Sequence, residues 1–138
     1  MLKKLYYTRD ITLAALLGSA VTLLVFIAEG LMRNSSDLNA LVTQSIIVVV
    51  LYFIIFFIAY FLLINPFYDS LIRNVSVMLT AIIILAIANV ILVAGLYVDT
   101  SRTFIEVVMD NLGLFLAVNI SIIFFSWKKQ IRKGASKQ

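Results

Sequence analysis

Ser19, Thr22, Asn89 and Asn119 stand inside long apolar runs, and Glu29 is the only acid within one. Hydroxyls and carboxamides donate and accept hydrogen bonds, and a carboxylate can carry a proton or hold a cation. In hydrocarbon such groups are costly alone, so they must turn toward neighbouring helices or water. At about 1.5 Å per helical residue, Ser19 and Thr22 fall near mid-depth of the first apolar run, Asn89 near mid-depth of the third and Asn119 centrally in the fourth. One polar layer is therefore expected, with Asn89 and Asn119 able to close a hydrogen-bonded pair. Such a layer either binds a small polar substrate or lines a narrow path, or it holds helices together. Glu29 lies eighteen residues beyond Ile11, about 27 Å along a helix. That places it at the membrane boundary beside Arg33, where an interfacial charge competes with proton or cation coupling as its reading.

Other chemistry is scarce. There is no Cys and no His, which argues against disulfides, thiolate nucleophiles, imidazole-ligated haem and most zinc or copper sites. The Ser-His-Asp and Cys-His systems lack their base. No Gly-rich phosphate loop, paired carboxylates, voltage-sensor arginine spacing or selectivity-filter motif occurs. The expectation is a non-enzyme with no catalytic residues, no metal and no cofactor.

The elements that position these residues follow from hydropathy. The chain is 63% hydrophobic and 13% charged, far from the half-apolar, quarter-charged balance of a soluble domain. Crossing about 30 Å of hydrocarbon takes about 20 apolar helical residues. Residues 11–32, 41–64 and 75–98 supply such runs, and a fourth covers about 104–127 if the uncharged stretch from Leu112 is extended back to Thr103. The fold class expected is all-α, a four-helix transmembrane bundle forming one integral membrane domain over residues 1–138. Cleavage of the first run as a signal sequence is disfavoured, because no small-x-small site follows it.

Charge orients the bundle. Lys3, Lys4, Arg9, Arg73, Lys128, Lys129, Arg132, Lys133 and Lys137, less Asp10 and Asp69, give one face +7. Arg33 and Arg102 against Glu29, Asp37, Asp99, Glu106 and Asp110 give the other −3. Basic loops stay in the cytoplasm, so both termini are expected there, in a multi-pass protein of the plasma (inner) membrane. The basic face either only sets topology or also attracts anionic lipid headgroups. Beside a span, the tail from Trp127 to Lys133 reads as a membrane stop, not a nucleic-acid site.

Local signals refine the ends. Tyr6 and Tyr7 suit an interfacial anchor. Asn34-Ser35-Ser36-Asp37 forms a polar turn, with Ser36 or Asp37 able to cap the second helix. That turn also holds a glycosylation sequon, set too close to the membrane for ready modification. Asn65-Pro66 is expected to stop the second helix, leaving Phe67 to Ser70 as a tight connection. Residues 104–110 suggest an interfacial helix or an outward extension of the fourth span. Ala81, Ala88 and Gly95 recur every seven residues, and Ala14 with Gly18 and Ala15 with Ser19 form similar pairs. Small residues allow close backbone approach, so packing of the first span on the third is expected, or a contact between copies.

Leu51-Tyr52-Phe53, the passage from Leu71-Ile72-Arg73 to Thr80-Ala81-Ile82, and an acidic loop leading into a span that ends Ser126-Trp127-Lys128-Lys129 resemble PsiE-type phosphate-starvation-inducible four-helix membrane proteins. The likeness covers about residues 41–132. It implies a small stress-related membrane component. Those proteins tend to carry an acid in the second span and a basic residue in the third, whereas here the second is uncharged and Asn89 occupies the comparable stretch. Asn89 and the Asn119 to Trp127 ending also resemble GtrA-type proteins, implicated in moving polyprenyl-linked sugars, although their Val-Gly-Gly start is missing. Two functions are therefore expected: an accessory subunit in a homo-oligomer or larger membrane complex, or a small transporter, lipid-linked sugar flippase or channel whose path is lined by Ser19, Thr22, Asn89 and Asn119.

Overall fold

A computed structural model of the chain describes residues 2–33, 37–96 and 103–135. The Asn34-Ser35-Ser36 turn, the charges at Asp99, Arg102 and Lys137, and the side chains of Lys3, Lys4, Tyr6 and Tyr7 fall outside what is described. All regular structure among the described residues is helical: α1 (Leu2–Met32), α2 (Leu38–Ala59), a π-helical turn (Tyr60–Ile64), α3 (Asn65–Leu71), α4 (Val77–Leu96), α5 (Phe104–Asp110) and α6 (Leu112–Ala135). Among the described residues, four helical runs are long and apolar enough to span a membrane: Thr8–Met32, Asn39–Leu71, Val77–Leu96 and Leu112–Gly134. Hydrocarbon offers the backbone no hydrogen-bond partner, so helix forms even where β-branched residues crowd, as at Ile46 to Val50. The chain is a multi-pass membrane protein.

The helix starts obey local capping chemistry. Asp37 accepts from the backbone N–H groups of Asn39 and Ala40 at 3.1 and 3.2 Å. Thr103 and Glu106 form a reciprocal capping box that opens α5. That helix does not run on into the last span, because Asn111 leaves helical geometry (φ −118°, ψ 25°) and α6 begins afresh at Leu112. The span therefore covers residues 112–134 instead of 104–127, carrying Trp127 and the basic residues to Lys133 within one helix.

Pro66 does not end the second span. Proline lacks an N–H and its ring collides with the carbonyl four residues back. Here the preceding turn widens to π geometry, with the Asn65 N–H reaching the Tyr60 carbonyl five residues away, and α3 continues with Pro66 in its first turn. Phe67 to Ser70 are helical, and the connection to α4 is Ile72 to Ser76.

Packing makes α1 and α6 the centre. A third of each of these spans is buried, against 11% and 17% for the second and third. Helix α1 packs along α2 on one side and α6 on the other, while α4 packs on α6. Glycines permit the close approaches: a Cβ at Gly18 would meet the Phe56 ring at 3.1 Å, and one at Gly113 would meet Val25 at 3.0 Å. The expected packing of the first span on the third is not what forms. Helix α4 lies on α6, and at Gly95 a Cβ would find nothing within 4 Å. Among the described residues, α2 and α4 run together only where α3 and the following turn reach α4, so the bundle has one open side.

Candidate functional site

Of the residues expected to form a polar layer, Asn89 and Asn119 pair across two helices, while Ser19 and Thr22 bond within their own. Asn89 Nδ2 donates to Asn119 Oδ1 at 2.8 Å and Asn119 Nδ2 donates to Asn89 Oδ1 at 3.0 Å. Each amide nitrogen also donates to its own helix four residues back, to the Leu85 and Phe115 carbonyls at 2.7 Å. Ser19 and Thr22 are buried and donate to the Leu16 and Gly18 carbonyls of α1. A third polar contact was not anticipated: the Tyr60 hydroxyl donates to Ser121 Oγ at 2.7 Å, both residues being fully buried. Its sequence signal was faint, a hydroxyl two positions beyond Asn119.

Glu29 sits at the end away from these pairs. It borders a polar recess of about 430 Å³ with Met32, Arg33, Met109 and Asp110. Of the small residues, Gly18 touches α2, Ala81 and Ala88 are half-buried, and Gly95 is exposed.

At the opposite end the charges converge. Asp10 in α1 is buried and pairs with Arg132 of α6 at 2.7 Å. Lys129 reaches Asp69 at 2.8 Å and Asn65 Oδ1 at 2.9 Å, and its ammonium lies 5.3 Å from the Phe125 ring centroid. The N-terminal arm, the end of the second span and the C-terminal helix therefore share one end of the bundle. Summed charge alone had treated Asp10 and Asp69 as subtractions, not as partners for α6. The Tyr68 hydroxyl donates to the Val77 carbonyl at 3.3 Å, tying α3 to the start of α4.

Between α2 and α4 the open side forms a groove of about 370 Å³. Phe56, Ala59, Tyr60, Leu63 and Phe67 form one wall, and Ile84, Ile87, Ala88, Ile91 and Leu92 the other. Val118, Ser121 and Ile122 of α6 form its floor, where Ser121 is already bonded to Tyr60. The groove is thus apolar and faces the surrounding hydrocarbon. Its volume lies in the ~300–1,000 Å³ range of small-molecule pockets.

Compared with models of known protein families, with curated proteins and with solved structures, the chain matches none. Function must therefore be argued from the site. Among the described residues no group of three or more His, Cys, Asp or Glu is placed to hold a metal ion. The geometry offers three things: hydrogen-bonded helix pairs, an ion-paired basic end and a lateral apolar groove.

Proposed function

We propose that this chain is a non-enzymatic accessory subunit of a prokaryotic plasma membrane, assembling with copies of itself or with a larger membrane complex, its basic end in the cytoplasm. The observation that supports this reading most is the closure of the Asn89–Asn119 pair, each amide using both a partner side chain and its own helix carbonyl. A path for a polar solute needs carboxamides and hydroxyls turned to water. Here Asn89, Asn119, Ser19 and Thr22 face protein acceptors instead. The Asn89–Asn119 exchange holds two helices in register, Ser19 and Thr22 are satisfied within α1, and both arrangements favour a rigid component over a conduit. The stress-related role that PsiE-type resemblance implies fits such a subunit.

The test is the native mass of the protein extracted in mild detergent. A defined multimer, or a stoichiometric companion protein, is the expected result. A monomeric particle without any companion, together with solute flux that Asn89→Leu and Asn119→Leu abolish in reconstituted vesicles, would overturn the proposal in favour of a transporter.

A further inference from the structure

We propose that the groove between α2 and α4 is a binding site for one anionic phospholipid of the leaflet at the basic end, with an acyl chain in the groove and the phosphate at Arg73. The inference stands apart from the accessory-subunit reading and holds whether or not the chain forms a complex.

Length argues for a lipid. Phe67 lies four residues before the end of α3 at Leu71, and Ile84 lies seven residues after the start of α4 at Val77. The groove therefore opens about 6–10 Å below the turn that joins its walls. Its far limit, at Phe56 and Leu92, is fifteen residues from those same helix ends, about 22 Å. Half of a bilayer, headgroups included, is about 20–22 Å thick. One lipid spans that distance from phosphate to chain end, and the upper 6–10 Å is left for the glycerol and first methylenes outside the α3–α4 contact. A spanning helix from another protein would ask for a seat about 30 Å long.

Charge selects the headgroup. The turn from Ile72 to Ser76 joins the two walls and carries the exposed Arg73, which has no carboxylate partner among the described residues. The nearest acid on this wall, Asp69, is already paired with Lys129. A phosphate at the turn meets a guanidinium, a donor set that matches its oxygens. The groove below offers a chain only apolar contact, because the Ser121 hydroxyl and the Tyr60 hydroxyl satisfy each other.

Native mass spectrometry on the full chain, released from bilayers of equimolar phosphatidylglycerol and phosphatidylcholine, tests this. The wild type should retain one lipid per chain, mostly phosphatidylglycerol. Ala59→Phe and Ile87→Trp fill the groove from opposite walls and should each lose the retained lipid. Ile55→Phe, outside the groove on an exposed face, should keep it. Arg73→Gln should keep a lipid but lower the preference for phosphatidylglycerol about fivefold, the equivalent of ~1 kcal/mol for one cation at a membrane surface. Helical circular dichroism checks folding, and two walls with independent variants keep the result decisive if one misfolds. Lipid retained equally by the folded groove-filling variants would overturn the proposal, as would unchanged headgroup preference in Arg73→Gln. A lipid-free pair of chains dissociated by Ala59→Phe would overturn it too, assigning the groove to a second copy.

Discussion

Asn89 and Asn119 exchange hydrogen bonds across the α4–α6 contact, so each carboxamide oxygen accepts from the other's nitrogen. Among the described residues, α4 depends on α6 for most of its tertiary contact. Replacing either residue by Leu leaves the other amide short of a partner in an apolar setting. Each single change should cost ~1 kcal/mol, and the double change should cost less than the sum of the two. Unfolding in graded detergent mixtures, run as a double-mutant cycle, checks this; strict additivity would mean the pair contributes no coupling.

Asp10 is 1% exposed and its partner Arg132 is 33% exposed. The pair is therefore asymmetric. Removing the arginine strands a buried carboxylate, whereas removing the carboxylate leaves an arginine able to reach water at the membrane surface. Arg132→Gln should destabilise by about 2 kcal/mol, and Asp10→Asn by less than half as much. Thermal melting of both variants in one detergent tests the order, and equal losses would show that Asp10 is better solvated than its burial implies.

Glycines separate contact from coincidence. A Cβ at Gly18 falls 3.1 Å from the Phe56 ring, an aromatic wedged between α1 and α2, while Gly95 has open space. Gly18→Val should cost ~1–3 kcal/mol through overpacking. Gly95→Ala should be neutral or should stabilise by up to about 1 kcal/mol, since it removes only helix-disfavouring freedom. The two melting temperatures, measured side by side, should move in opposite directions or not at all for Gly95. A loss at Gly95 matching that at Gly18 would instead signal a contact between copies along the small-residue stripe.

What was legible in the sequence was whatever depends on depth alone. Asn89 and Asn119 could be matched because both lie midway along apolar runs, and helices crossing one slab must bring equal depths together. Azimuth was not legible. Ala81, Ala88 and Gly95 share a face of α4, but nothing local says whether α1, α6 or lipid meets it, and Ala88 lines the groove instead. Pro66 was misread for a related reason. In water a helix stops cheaply at proline, but near the membrane an abandoned ladder leaves backbone groups unpaired, so a π turn absorbs the ring and the helix goes on. That extra residue in the turn rotates all that follows, which is why Tyr60 and Tyr68 both reach Phe125, at 5.2 and 5.7 Å between ring centroids, though no α-helical wheel sets it out.

The proposed cytoplasmic placement of the basic end is open to direct test. Asp10 with Arg132, and Asp69 with Lys129, bring the N-terminal arm, the end of the second span and the C-terminal helix to one end, and that end carries most of the basic residues. Basic segments are retained in the cytoplasm. The chain has no Cys, so a single introduced thiol reports its side of the membrane without background. Gly134 is a suitable position, since a side chain there meets nothing within 4 Å. Met109 is exposed on α5 at the other end, beside Glu29 and Arg33. In intact cells a membrane-impermeant maleimide should label Met109→Cys and spare Gly134→Cys, which should react only after permeabilisation. The reverse pattern would invert the protein in the bilayer while leaving its helix pairing untouched, and would move the groove's lipid to the outer leaflet.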